Sequence, residues 1–229
     1  MLGIIGAMDV EVAALKNIVE NKEVTTFAGI EFVCGKIADT DVCVAQCSPG
    51  KVNAALCTQM MIDKFDIDSI INIGIACSLN ENVVIKDVVV ASDVCQYDFD
   101  TSAVDGVKGL IFDGVTSFAT DSDISNSLID SVLACKYRCH HDIIASGDTF
   151  IASQELKDEI VSDFGAVCGE MEGGAIGQVC YVNKIPFAVL RTISDGGDKN
   201  VQIDYPAFKH IAAKISSDII LNYLRRNKN

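Results

Sequence analysis

Cations, prolines and long apolar runs are all scarce in this chain, and each scarcity excludes something. Lys and Arg total 18 against 32 Asp and Glu in 229 residues, a formal net charge of −14 at pH 7. A surface with that excess of negative charge repels DNA, RNA and anionic lipid, so nucleic acid and membrane are not expected partners. A single nucleoside carries no phosphate and is not excluded. Only three prolines occur (Pro49, Pro186, Pro206) and there is no low-complexity tract, so no Pro-rich linker divides the chain. The expectation is one domain over residues 1–229, a size that buries roughly 70–75% of the unfolded chain's surface and needs no disulfide or metal staple. No stretch approaches the ~20 uncharged apolar residues of a membrane span. Met1 to Met8 is apolar, but no basic segment precedes it and Asp9 and Glu11 end the run, so no secretory signal is expected. The expected location is cytoplasmic, where thiols stay reduced.

Ten cysteines are present, at 34, 43, 47, 57, 77, 95, 135, 139, 168 and 180, and no two form a C-x-x-C pair. In a reducing compartment they read as small buried hydrophobes. Cys135-x-x-x-Cys139-His140-His141 is the one cluster with the look of a metal site. Zinc motifs usually come as two paired half-sites and no second half follows, so neither metal nor cofactor is expected.

What recurs is a short apolar run followed by a polar or glycine-bearing turn: GIIGA (3–7), VCVAQ (42–46), SIINIGIA (69–76), DVVVAS (87–92), DIIAS (142–146) and PFAVLRTIS (186–194). These runs are continuous rather than alternating, as in strands buried on both faces of a largely parallel sheet. Helical spacing fills the intervals at 9–20, 51–64, 121–134, 153–163, 172–182 and 207–226, with Asp121 or Ser122 and then Ser153 as N-caps. Residues 25–34 read as an antiparallel hairpin-like piece. The fold class expected is α/β, a mixed, mostly parallel twisted central sheet flanked by helices.

In such sheets ligands gather beyond the carboxyl ends of strands. That filter selects Glu11, Ser48 to Lys51, Ser146 to Asp148, Gly169 to Glu172 and Arg191 to Asp195. Two acids at separate strand ends suit hydrolysis of a glycosidic bond, where one group protonates the leaving group and the other activates water. Plainer roles exist: Glu11 as a first-turn helix acid, Asp195 as a turn residue, Glu170 and Glu172 as solvated acids at a helix start. Arg191 is harder to dismiss, because a buried guanidinium demands a carboxylate partner.

The motifs GIIGAMDVEV, SPGKVNAAL, SGDTFI, GEMEG and RTISD, in this order, resemble those of the 5′-methylthioadenosine/S-adenosylhomocysteine nucleosidases, within the wider nucleoside phosphorylase family. The likeness runs from Gly3 to the last helix. It implies hydrolysis of an adenine nucleoside carrying a 5′-thio (or plain 5′-deoxy) group, releasing adenine and a 5-substituted ribose. It implies Glu11 as the acid that activates water and Asp195 as the group that protonates adenine N7. By the same resemblance Glu172 holds the ribose hydroxyls, with Glu170 beside it, and Met171 packs on the sugar. Phe150 stacks on adenine, the backbone of Ile151 reads its edge, and Arg191 and Ser194 support the acids. Phe208 matches an aromatic that reaches the ligand of a partner subunit, which implies a homodimer.

The chain departs from the family pattern in the loop that lines the base pocket, here Asn72-Ile73-Gly74-Ile75-Ala76-Cys77-Ser78. Ile75 replaces a serine, and Cys77 and Ser78 replace glycines, so Cys77 is expected to narrow the base pocket or shift its loop. Gly173-Gly174 is expected to loosen its helix start, and Tyr97 stands where histidine is frequent. Three alternatives to hydrolysis stay open: phosphorolysis with Lys51 as the only nearby cation, nucleoside binding without turnover, and metal or redox chemistry at Cys135, Cys139, His140 and His141.

Overall fold

The computed structural model describes residues 1–227. In chain order its elements are β1 (Leu2–Gly6), α1 (Asp9–Ile18), β2 (Glu20–Phe27), β3 (Ile30–Ile37), β4 (Thr40–Gln46), α2 (Lys51–Lys64), β5 (Ser69–Ser78), β6 (Val88–Gln96), α3 (Ser102–Asp105), β7 (Ser117–Ala119), α4 (Ser122–Ala134), β8 (Cys139–Ser146), α5 (Gln154–Phe164), β9 (Cys168–Glu170), α6 (Gly173–Asn183), β10 (Phe187–Asp195) and α7 (Val201–Arg226). Each apolar run singled out above lies on a strand, and each helical interval holds a helix. The class is the expected mixed α/β sheet with helices against it.

One ten-stranded sheet runs β10-β6-β8-β9-β5-β1-β4-β3-β2, with β7 on β6. Because β10 pairs with β5 as well as with β6, part of the sheet closes on itself. The closed part consists of two parallel sets, β5 with β10 and β6 with β8 and β9, joined by antiparallel seams at β10–β6 and β5–β9. The rest extends through the parallel pairs β5–β1 and β1–β4 to the β2–β3–β4 meander. Ala28 (φ 47°) and Gly29 (φ 79°) make the two-residue turn between β2 and β3, a left-handed pair whose twist suits a hairpin.

Successive residues of the central strands feed two cores. Ile4, Val42, Val44, Ile71 and Leu190 face α1, α4 and α7, packing on Val12, Leu15, Leu128, Val132 and Ile219. Ile5, Cys43, Ala45, Ile70 and Val189 face α2 and α6, packing on Ala54, Cys57, Met61, Ile176 and Cys180. Both faces are covered, and this is the physical origin of the continuous apolar runs. Asp121 caps α4, accepting from the amides of Asp123 and Ile124, and Ser153 caps α5, accepting from Leu156 N–H. α7 starts at Val201, six residues before the sequence expectation, and continues through Pro206, which removes one i→i−4 bond without stopping the helix.

All ten cysteines are unpaired; eight are buried, while Cys135 and Cys139 are half-buried. Among the described residues no cluster of His, Cys, Asp and Glu is placed to hold a metal ion. His140 Nε2 pairs with Asp87 at 2.8 Å and His141 Nδ1 with the Val90 carbonyl at 3.0 Å, so neighbouring strand residues diverge rather than converge. No helix among the described residues is long and apolar enough to cross a membrane.

Candidate active site

The ends of β1, β5, β9 and β10 and the turns after β4 and β8 meet at one cavity of about 210 Å3. Its walls include Glu11, Ile75, Ala76, Cys77, Phe150, Ile151, Glu170, Met171, Glu172, Ser194 and Asp195, so these eleven candidates converge although they span nearly the whole chain.

Glu11 is almost fully buried. Its Oε2 accepts from the amides of Ala7 and Met8, both at 2.8 Å, and its Oε1 accepts from Ile75 N–H at 3.1 Å. The bond to Met8 closes the first turn of α1, so the plainer helix-start role and the cavity role belong to one side chain. Burial pushes the Glu11 carboxyl up, against the Arg191 charge and the three amides, which pull it down.

A buried ion cluster at the cavity floor holds Glu170 and Glu172. Arg191, a fully buried residue of β10, donates through Nε to Glu170 Oε2 at 3.2 Å, through Nη2 to the same oxygen, and through Nη2 to Asn72 Oδ1 at 2.6 Å. Asn72 is itself fixed by donating to the Ile5 carbonyl at 2.9 Å. Glu170 also accepts from the Ser146 hydroxyl and from the amides of Glu172 and Gly173 at the start of α6. Burial alone would lift its pKa, but the guanidinium, the hydroxyl and the amides hold it below the usual carboxylate value. Glu170 therefore serves as the anchor of Arg191 and of the α6 N-terminus.

Glu172 is left with fewer partners. Its Oε1 accepts from Gly50 N–H at 2.9 Å and its Oε2 lies 3.6 Å from Arg191 Nη2. Burial and the neighbouring Glu170 charge push its pKa up to about 8. Gly50 can point its amide at Glu172 because it adopts φ 103°, a conformation open to glycine and strained for other residues.

Asp195 sits at the last position of β10, beyond an irregularity in its pairing with β5. Its Oδ2 accepts from the Ser194 hydroxyl at 2.8 Å and its Oδ1 from Gly197 N–H at 2.9 Å. Burial lifts its pKa, the two donors pull it down, and Asp204 and Asp198 lift it further.

Thr149, Phe150 and Ile151 form a further wall of the cavity, a shelf whose Ile151 packs beside Gly169 and Gly197. Phe150 is half exposed and meets Tyr205 edge-on at 5.4 Å between ring centroids. Tyr97 supports the shelf from below: its ring lies against Gly147 and its hydroxyl donates to the Thr149 carbonyl at 2.9 Å.

Of the two effects expected of Cys77, a narrowed pocket or a shifted loop, the second is corrected, as is the loosened start of α6. Cys77 does not shift a loop, because residues 72–78 are part of β5, and Cys77 pairs in register with Gly169 and Asp195. Neither Cys77 nor Ser78 has a positive φ, so no glycine is required. The Cys77 thiol lines the cavity, donates toward the Gly169 carbonyl at 3.5 Å, and is pushed up to about 12 by burial, an inert apolar wall. Nor do Gly173 and Gly174 loosen the start of α6. A Cβ on Gly174 would meet the Cys95 carbonyl at 2.7 Å, and the Gly174 amide donates to Ser146 Oγ at 2.6 Å. Glycine is there for close approach.

Phe208, expected to reach the ligand of a partner subunit, lies outside the cavity of its own subunit, with its ring 5.5 Å from Lys86 Nζ. Tyr205, one turn earlier on α7, lines the cavity, with its hydroxyl 3.3 Å from Met8 Sδ. Sequence reasoning passed over Tyr205 because it placed the helix start at 207. The roles of Asn72, Ser146 and Gly50 depend on contacts 67, 24 and 122 residues away in sequence, which no local pattern encodes.

A family model described as the phosphorylase superfamily matches residues 1–225. The chain is 36% identical to a 5′-methylthioadenosine/S-adenosylhomocysteine nucleosidase of Staphylococcus saprophyticus, over 96% of this chain and 97% of that protein. Its structure is similar to that of the nucleosidase of the same description from Neisseria meningitidis in complex with methylthio-immucillin-A, with TM-score 0.95, 29% identity and 98% of each chain covered. It is similar also to that from Colwellia psychrerythraea in complex with adenine, with TM-score 0.93, 33% identity, and 97% and 93% covered.

Proposed function

The chain belongs to the phosphorylase superfamily, and from that premise we propose that it hydrolyses the N-glycosidic bond of 5′-methylthioadenosine and S-adenosylhomocysteine. The products are adenine and a 5-substituted ribose. The observation that carries the reading is the meeting of Glu11, Glu172 and Asp195 with the Phe150 shelf in one cavity.

In this reading adenine stacks on Phe150 and its edge meets the backbone at Ile151. Asp195, whose raised pKa favours the acid form, gives its proton to N7, so the electron pair of the breaking C1′–N9 bond leaves with a neutral base. Water attacks C1′ on the other side of the sugar and loses its proton to Glu11, a buried carboxylate made more basic by burial. Positive charge builds on the ribose ring as the bond lengthens, and the Glu11 carboxylate stabilises it. Glu172 holds the ribose hydroxyls and Met171 packs on the sugar. Met8, Ile75 and Tyr205 offer a thioether and two apolar surfaces to a 5′-thio substituent. Ser194 orients Asp195, and Arg191 with Glu170 holds the floor on which Glu172 rests.

Phosphorolysis is disfavoured by charge. Among the described residues no Lys or Arg lines the cavity. Arg191 is engaged by Glu170, and Lys51 Nζ is held by Asp98 at 2.5 Å. A phosphate beside C1′ would face Glu11 and Glu172 without a free cation.

We further propose that 1–229 forms one nucleosidase domain, that the protein acts as a homodimer and that it resides in the cytoplasm. Val52 (78% exposed) and Leu56, one turn apart, share a face of α2, an apolar surface that a second copy would cover. Ten unpaired thiols fit a reducing compartment.

The test is adenine release from methylthioadenosine by the purified protein, with and without phosphate. Phosphate-independent release is the expected result. A strict phosphate requirement, or binding without turnover, overturns the reading.

A further inference from the structure

Just outside the cavity three charged residues close a ring. Lys51 Nζ donates to Asp98 Oδ1 at 2.5 Å, Asp98 Oδ2 accepts from Asp148 N–H at 2.8 Å, and Asp148 Oδ1 accepts from Lys51 N–H at 2.7 Å. The Lys51 side chain is 16% exposed and that of Asp98 26%, while Asp148 lies on the exposed rim of the cavity mouth. None of the three lines the cavity.

Each corner of the ring touches a segment that does. Lys51 follows Gly50, whose amide donates to Glu172. Asp148 precedes Thr149 and Phe150, the shelf. Asp98 follows Tyr97, whose hydroxyl holds the Thr149 carbonyl. The end of β6 and the start of the loop after β8 are already joined by the sheet, through Gln96 beside Ser146 and Tyr97 N–H donating to the Ser146 carbonyl at 3.0 Å, whereas the start of α2 lies outside the sheet and meets them through the ring. Nothing in the cavity chemistry requires a charged residue at 51, 98 or 148, yet their hydrogen bonds are charge-assisted and mutually oriented.

We propose that the Lys51–Asp98–Asp148 ring is a positioning device that sets the separation between the base shelf at Phe150 and the sugar carboxylate Glu172, and thereby the affinity for an adenine nucleoside. The three are positioning residues. They act through Gly50 and through the Thr149–Phe150 backbone. The inference rests on the hydrolase reading for its substrate, but its geometry concerns any ligand that bridges shelf and carboxylate.

Removing one corner loosens the start of α2, and with it Gly50, from the shelf, so the loss falls on ground-state and transition-state binding alike and appears in KM more than in kcat. Asp148→Ala and Asp98→Ala are each expected to raise KM for methylthioadenosine by about tenfold, with kcat changed by less than about threefold. Asp148→Asn keeps an Oδ1 acceptor for Lys51 N–H and is expected to stay within about twofold of the wild type. Because the bonds form one ring, Asp98→Ala with Asp148→Ala is expected to be no worse than either alone. Unchanged KM in both alanine variants, an Asp148→Asn variant as weak as Asp148→Ala, or multiplicative losses in the double variant overturns the proposal. Wild-type turnover decides the hydrolase reading separately. Should the wild type bind adenine without cleaving nucleoside, calorimetric titration of the same variants with methylthioadenosine reads the same ratios in Kd. A wild type that binds neither compound overturns both readings.

Discussion

Ile75 holds Glu11 through its backbone: the Ile75 amide lies 3.1 Å from Glu11 Oε1, and the isoleucine side chain takes no part in that bond. The exchange of a serine for Ile75 therefore leaves the donor to the proposed base in place. Ile75→Ser is expected to change kcat by less than about threefold, whereas Glu11→Gln, which retains the shape but not the basicity, should lower it by at least ~100-fold. Steady-state adenine release measures both. Near-normal turnover in Glu11→Gln removes Glu11 from the reaction.

Asp195 and Glu11 should shape opposite limbs of the pH profile. Asp195 works as the protonated acid, so its contribution is complete below its raised pKa and is lost as pH rises through it. Glu11 works ionised, so activity is lost as pH falls through its raised pKa. A bell-shaped kcat/KM is expected. In Asp195→Asn the rate falls at least ~100-fold and the alkaline limb disappears. An alkaline limb that persists in this variant assigns it to another group.

Glu172 carries a stability cost that depends on pH. Its folded pKa is about 8, above the ordinary 4.5, so the folded state binds its proton more tightly than the unfolded chain. Its contribution to stability is complete below about pH 4.5 and is lost as pH rises toward 8. Glu172→Gln should flatten the fall in Tm across that window and lose activity throughout it. Identical Tm–pH curves for the two proteins would remove Glu172 as the source.

Arg191 is the buried charge on which three acids depend. Arg191→Met leaves Glu170 uncompensated in a dry interior and is expected to cost about 3–5 kcal/mol by denaturant unfolding. Arg191→Lys should recover only part of this, because one ammonium cannot reach Glu170 and Asn72 in the fork geometry of the guanidinium. Full recovery by lysine would show that charge alone matters.

Gly174→Ala tests whether propensity or packing rules the start of α6. Helix propensity favours alanine by about 1 kcal/mol. The added Cβ would press on the Cys95 carbonyl and on Ser146 Oγ, which anchors Glu170, and overpacking of this kind costs about 1–3 kcal/mol. The expected outcome in thermal unfolding is net destabilisation with reduced activity. A rise in Tm would reverse the account.

Much of this protein was determined by its amino-acid sequence alone. The runs GIIGA, VCVAQ and PFAVLRTIS predict β1, β4 and β10, because a strand covered on both faces has no polar side to expose. Asp121 and Ser153 mark helix starts, because their side chains satisfy amides that a helix leaves unpaired. The candidate acids were legible as polar residues just after apolar strands, and their motifs carried the family resemblance. What only the tertiary structure decided are the contacts between distant segments. The closure of β10 onto β5 brings Asp195 beside Cys77. The extension of α7 to Val201 puts Tyr205 in the cavity wall. Cys77 is a strand residue and Gly174 a point of close packing, although both looked like weaknesses in the sequence. Local patterning reports backbone propensity and burial, which are summed along the chain. Which carboxylate receives Arg191, and which amide receives Glu172, depends on charges and donors that meet only when the sheet has closed.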